Sequence, residues 1–245
     1  LQFVFPSIIM MIFTSIYSVV DGLFVSNFVG KSAFAAVNLI MPFLMGISAL
    51  GFMIGTGGSA IVAKTLGEGK TEKANEYFSM LVYITAIGGI IIAILSMFLV
   101  KPVAILFGAN GALLDNCILY GRILCISLPA FMLQNVFQSF FVTAEKPHLG
   151  LRVIVIAGVT NMVLDFLFVA VLHFGLPGAG FATVCGEFIG GLFPLFYFGR
   201  KNSSLLKLRK THFHGKILLK TCTNGSSELM TNLSSSIMNS LYNIQ

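Results

Sequence analysis

Residues 77–100 read YFSMLVYITAIGGIIIAILSMFLV, 24 residues without one charged side chain. As an α-helix this stretch is about 36 Å long, more than the roughly 30 Å hydrocarbon core of a bilayer. It shows no alternation of the kind a strand needs. A bilayer also offers no water to free backbone groups, so a spanning segment must be a helix or part of a closed barrel. Five further segments read the same way: residues 3–28, 34–62, 118–143, 149–172 and 179–198. The expected fold is an all-α integral membrane protein with six transmembrane helices.

The whole chain agrees with that reading. Of its 245 residues, 56% are hydrophobic and 10% charged, and the mean hydropathy is +0.92. Soluble domains carry about 25% charged residues. The composition also excludes a disordered chain and, despite the net charge of +6, a nucleic-acid reader. Twelve of the 15 Lys and Arg residues follow the even-numbered segments; only Lys31, Lys101 and Arg122 follow odd-numbered ones. The positive-inside rule then puts the N-terminus and the even-numbered loops in the cytoplasm of a multi-pass protein in the cell (inner or plasma) membrane.

Residues 200–216 form the longest polar stretch and carry a run of basic side chains. They read as a cytoplasmic linker, suited to contact with anionic lipid headgroups. Residues 217–245 begin a seventh segment rich in Ser, Thr and Asn, as expected of a helix that packs in a bundle or lines a cavity. The expected organisation is a six-helix lobe over residues 1–199, the linker over 200–216, and the start of a second lobe over 217–245. The chain is expected to be a fragment that stops inside the seventh helix.

Several motifs imitate chemistry and fail on spacing. Gly30-Lys31-Ser32 and Gly69-Lys70-Thr71 resemble the end of a phosphate-binding loop, but the required first glycine falls on Val25 and Lys64. Gly55-Thr56-Gly57-Gly58-Ser59-Ala60 lies inside an apolar segment with no strand–helix unit around it. With Gly51 it reads as a close helix contact. His212 and His214 are too few ligands for a metal. Cys117, Cys125, Cys185 and Cys222 show no metal or disulfide spacing and read as free thiols. No nucleophile–base or metal-hydrolase motif is present, so no enzyme activity and no cofactor are expected.

The informative residues are acids inside apolar segments: Asp21, Asp165, Glu187 and, near the start of the seventh, Glu228. A carboxylate at mid-bilayer costs about 2.5–3.5 kcal/mol on insertion scales. No Lys or Arg lies deep enough to neutralise Asp21 or Asp165, so a proton or a metal cation is the expected counter-charge. Helical spacing places Tyr17 with Asp21, Gln134 with Gln138, Asn161 with Asp165, and Thr183 with Glu187 on shared faces. Convergence of these four faces would gather oxygen ligands suited to a hard cation such as Na⁺.

Several stretches of the chain carry a family resemblance. They are Ser15-Ile16-Tyr17-Ser18-Val19-Val20-Asp21-Gly22-Leu23-Phe24-Val25, Ala35-Ala36-Val37-Asn38-Leu39 and Lys64-Thr65-Leu66-Gly67-Glu68-Gly69-Lys70. Asn161-Met162-Val163-Leu164-Asp165 and Gly178-Ala179-Gly180-Phe181-Ala182-Thr183 continue the series. Together they resemble the multidrug and toxic compound extrusion (MATE) transporters of bacteria. The resemblance implies one six-helix lobe of a 12-helix, pseudo-twofold transporter working by alternating access, with the C-terminal lobe as partner. It implies a cation site at Asp21, Asn161, Asp165 and Thr183, cavity positions at Tyr17, Tyr120 and Gln138, and a helix bend at Pro6. Glu187 is expected on the same cavity wall. Gln138, where asparagine is common, and Ala144-Glu145-Lys146-Pro147, where a basic, glycine-bearing loop is usual, depart from the pattern. The implied activity is antiport of Na⁺ or H⁺ against a small organic, often cationic, compound. The alternatives are an exporter of a lipid-linked or polysaccharide precursor and a non-transporting membrane scaffold subunit.

Overall fold

The computed structural model describes residues 4–244, with side chains except those of residues 4–7, 11, 18, 243 and 244. The expected bend at Pro6 therefore lies outside the described side chains. Eight helices follow in order: α1 (Val4–Phe24), α2 (Lys31–Gly67), α3 (Thr71–Leu106), α4 (Gly111–Thr143), α5 (Pro147–Asp165), α6 (Gly175–Gly199), α7 (Gly215–Asn224) and α8 (Ser226–Ile244). α1 and α5 run on into π-helical turns, Val25–Val29 and Phe166–Val171. Among the described residues six helical segments, α1 to α6, are long and apolar enough to cross a membrane. α2 and α3 reach 37 and 36 residues, well past their apolar stretches. Apolarity marks only the part within lipid, whereas turn residues set the helix ends. At Gly69 (φ +77°) the chain reverses between α2 and α3, so the stretch that imitates a phosphate loop is a tight turn. There the exposed Lys70 ammonium and Glu68 carboxylate pair at 2.7 Å. That contact holds the carboxyl below and the ammonium above their ordinary ranges.

α4 is the axis of the lobe, packed against α2, α3 and α6. In its most apolar window 61% of residues are buried, against 6% for α1, which lies at the edge. Glycines allow the approach. A Cβ on Gly51 would stand 2.8 Å from the Met132 carbonyl oxygen, and one on Gly191 would collide with the Ala130 carbonyl. The Gly51/Gly55 pair is thus a close helix contact, as its spacing suggested.

Two apolar clusters cap the lobe. One centres on Ile40, Val100 and Tyr120. The other is an aromatic knot in which Phe78 meets Phe140, Phe198 and Phe137 at ring-centroid distances of 4.8, 5.2 and 6.4 Å.

The basic linker is docked on the lobe. Residues 204–214 lie along the start of α3, where Asn75 Oδ1 accepts the Lys207 N–H at 2.7 Å and Ser79 Oγ accepts the Arg209 N–H at 2.8 Å. Thr211 Oγ1 donates to the Glu76 carbonyl at 2.9 Å. Leu206 is fully buried, while Lys207, Arg209 and Lys210 stay exposed. His214 stacks edge-on against Tyr77 and faces Glu76 at 3.8 Å. The seventh segment, read as one helix from its composition, is two helices broken at Gly225. A Cβ on Gly225 would collide with the Met53 carbonyl, and one on Gly57 with the Thr221 carbonyl, so α2 crosses the α7–α8 junction backbone to backbone.

The departure at Glu145 has a conformational cost. Glu145 sits at φ +57°, the left-handed region that glycine occupies without penalty. Glu145→Gly is expected to stabilise the detergent-solubilised protein by up to about 1 kcal/mol. Gly57→Ala is expected to destabilise it by about 1–3 kcal/mol through the blocked crossing. Thermal unfolding checks both, and an inverted order would show that these backbone contacts are misread.

Candidate functional site

Small residues draw α1, α5 and α6 together around the acids. A Cβ on Gly158 would stand 2.6 Å from Phe13 and 3.3 Å from Tyr17, so α1 rests on α5 at that glycine. A Cβ on Gly186 would stand 3.1 Å from the Ala157 carbonyl oxygen, which seats α6 on α5 beside Asn161. Asn161 Nδ2 then reaches Thr183 Oγ1 at 3.5 Å, and Thr183 donates back to the Ala179 carbonyl at 3.1 Å.

These contacts enclose a cavity of about 90 Å³ lined by Tyr17, Asp21, Gln134, Asn161, Thr183 and Glu187, with Met41, Met45 and Phe131 among its apolar walls. Asp165 lies just behind the wall, fully buried, with its carboxyl within hydrogen-bonding reach of that of Asp21. Asp21 Oδ1, both carboxylate oxygens of Asp165, Asn161 Oδ1 and the Tyr120 hydroxyl are buried without a hydrogen-bond partner. Four of these five are carboxylate or amide oxygens and only the Tyr120 hydroxyl carries a proton to give, so acceptors outnumber donors at the site. Buried acceptors are normally paired, and two ionised carboxylates side by side repel each other. A proton or an oxygen-seeking cation among those oxygens would relieve that repulsion.

Each aspartate lies within one helical turn of irregular backbone. Asp165 is the last residue of α5 before its π turn, and Asp21 lies four residues before the π turn of α1.

The structure brings together Tyr17, Asp21, Asn161, Asp165, Thr183 and Glu187, each expected from the sequence. Ser127 stands beside Glu187, although its hydroxyl proton goes to the Leu124 carbonyl at 3.1 Å. One expected wall residue lies elsewhere. Tyr120 is fully buried behind the cavity rather than on its surface, because α4 is the lobe axis and turns that residue into the core. Gln138 lines a second cavity, one helical turn farther along α4. Glu228 lies outside the cluster on α8, where its carboxylate accepts the Asn232 side-chain N–H at 3.2 Å. Sequence reasoning missed Phe131 and Asn135. Their signal was the stripe Phe131, Gln134, Asn135, Gln138, which follows i, i+3, i+4, i+7 along one face of α4.

The MatE family model matches residues 6–167. The multidrug export protein MepA of Staphylococcus haemolyticus is 26% identical over 205 residues, 84% of this chain and 45% of that protein. The fold matches the outward-facing conformation of a multidrug resistance MATE family transporter of the MOP superfamily with a TM-score of 0.89. The identity there is 26%, over 96% of this chain and 52% of that one. The inward-facing conformation of such a transporter matches with a TM-score of 0.85 and 26% identity, over 91% and 51%. The chain thus spans about half the length of these relatives. With the family model covering most of its length and the lobe superposing on solved members, the chain belongs to the MatE family of multi-pass membrane transporters.

Proposed function

We propose that this chain is the N-terminal lobe of a cation-coupled antiporter that exports organic, often cationic, compounds by alternating access. The observation that carries the reading is the set of unpartnered oxygens on Asp21, Asn161 and Asp165. Na⁺ or H⁺ is the coupling ion, held among those oxygens with Thr183 beside them. Binding removes the repulsion between the two carboxyl groups and lets α1 and α5 draw together. The π turn next to each aspartate supplies backbone that can change its hydrogen-bond register as they do. An organic substrate favoured by the opposite conformation is then coupled to the ion reciprocally, because each ligand weakens binding of the other by the same factor.

The protein sits in the inner or plasma membrane, with its N-terminus and the docked linker on the cytoplasmic side, as its loop charges suggest. The C-terminal lobe that completes the transporter is the partner against which this lobe rocks. An anionic lipid-linked precursor is a poorer substrate, because among the described residues no Lys or Arg lines the acid cavity or the larger cavity that adjoins it; Arg122 lines a separate pocket, together with Asp115.

In the full-length protein, Asp21→Asn and Asp165→Asn are each expected to lower gradient-driven efflux of a cationic dye at least tenfold, roughly 1.4 kcal/mol, without loss from the membrane. Replacing Na⁺, or collapsing the pH gradient, identifies the ion. Unchanged efflux in both variants would remove the aspartates from the coupling. Asp165→Asn is also expected to raise thermal stability by about 1–3 kcal/mol, because an amide donor facing Asp21 replaces unpaired carboxylate oxygens. A lower melting temperature for that variant would mean Asp165 has a partner that stabilises the lobe.

A further inference from the structure

One acid and one base stand together on the outside of the lobe, away from the acid cavity. Asp115 and Arg122 are seven residues apart on α4 and so share one helical face. Both are exposed, and with Met97 of α3 both line a groove of about 390 Å³. Neither makes an ion pair or hydrogen bond with the other or with any other described residue. α2 packs on a different face of α4, where Cys117 Sγ donates to the Ala36 carbonyl at 3.7 Å and a Cβ on Gly121 would crowd Ile40. α8 in turn packs on α2. The groove is therefore turned away from α2 and α8, toward lipid.

Depth along the helix gives the two charges different surroundings. α4 has 33 residues, about 50 Å of helix against a hydrocarbon core of roughly 30 Å, so about 10 Å projects at each end of a centred helix. Asp115, about 6 Å from the helix start, then stands among headgroups, while Arg122, about 16 Å from it, lies some 6 Å inside the apolar boundary. Helical side chains tilt toward the N-terminus, here toward that boundary, so the Arg122 stem can lie along apolar surface with its guanidinium raised to the headgroups. A charge at this depth needs a partner. Lys101, one turn beyond Met97 on α3, is exposed but lies outside the groove lining, so the lining carries one positive and one negative charge. A guanidinium suits a phosphodiester, which it can bind with two parallel hydrogen bonds. The carboxylate, nearer to water, suits an ammonium. A phospholipid with a terminal amine presents these groups in the same order, phosphate next to the acyl chains and ammonium outermost. An anionic headgroup without an amine would meet Asp115 with a like charge. Deeper in the bilayer the exposed Ile126 of α4 and Ile90 and Ile94 of α3 continue the groove, offering apolar surface to acyl chains.

We propose that the α3–α4 groove binds a zwitterionic phospholipid of the phosphatidylethanolamine kind, with Arg122 on its phosphate and Asp115 on its ammonium. α3 leads from the linker contact at Asn75 across to Met97, so the lipid comes from the leaflet opposite the docked linker. The site is on the outer wall of the lobe and does not depend on the ion coupling proposed for its interior.

The test uses the full-length protein in vesicles of equal parts phosphatidylethanolamine and phosphatidylglycerol, with a trace of one or the other carrying a photoreactive acyl chain. Labelled peptides are mapped by mass spectrometry. On the unmodified protein the ethanolamine lipid is expected to label residues 90–126 about fivefold more than the glycerol lipid. Arg122→Gln and Asp115→Asn are each expected to lower that labelling about fivefold. Labelling of the exposed Val159 and Val163 on α5 is expected to stay unchanged, which reports an inserted, folded lobe. The proposal is overturned if the two lipids label residues 90–126 equally in the unmodified protein, a comparison that needs no variant to fold. It is equally overturned if either variant keeps the unmodified level of ethanolamine-lipid labelling there, or if labelling falls to the same extent on α5.

Discussion

Two carboxyl groups, Asp21 and Asp165, face each other inside an apolar lobe, with no basic side chain among the described residues to neutralise them. That unresolved electrostatic demand organises the site. Each neighbouring polar residue is placed to offer an oxygen rather than a positive charge: Asn161 and Thr183 on facing helices, and the Tyr120 hydroxyl from behind. A soluble protein would solvate such a pair. Here the low-dielectric surroundings strengthen the repulsion between the two groups whenever both are ionised.

Holding unpaired oxygens in place takes a rigid scaffold, and the lobe supplies it through backbone contact. α4 meets α2 at Gly51 and α6 at Gly191, while α1 and α6 rest on α5 at Gly158 and Gly186. Without a solvent-driven hydrophobic effect between helices in lipid, close packing of small residues is a principal source of association. The aromatic knot around Phe78 and the docked linker stiffen the opposite end. Because residues 204–214 are bonded to Asn75, Glu76 and Ser79, the linker is structurally part of this lobe. The first break in the packed chain beyond it is Gly225. The lobe is therefore closely packed along α4 and irregular near the acids, with a π turn directly after Asp165 and another four residues after Asp21.

The sequence by itself determined the six helices, because spanning lipid demands long uninterrupted apolar runs and little else satisfies that demand. It also singled out the acids of the lobe's interior, since a carboxylate such as Asp165 within Val163-Leu164-Asp165-Phe166-Leu167 is costly at mid-bilayer. Period 3.6 placed Asn161 with Asp165 and Thr183 with Glu187, and the helices did converge. What it could not supply was the rotation of each helix about its own axis, which side-chain packing between helices decides. Tyr120 therefore turned into the core, and Gln138 fell into a separate chamber. The α7–α8 break at Gly225 and the docking of the linker on Asn75 and Ser79 also depend on contacts between residues more than 100 positions apart. Local composition carries no record of those contacts, and only the tertiary structure decided them.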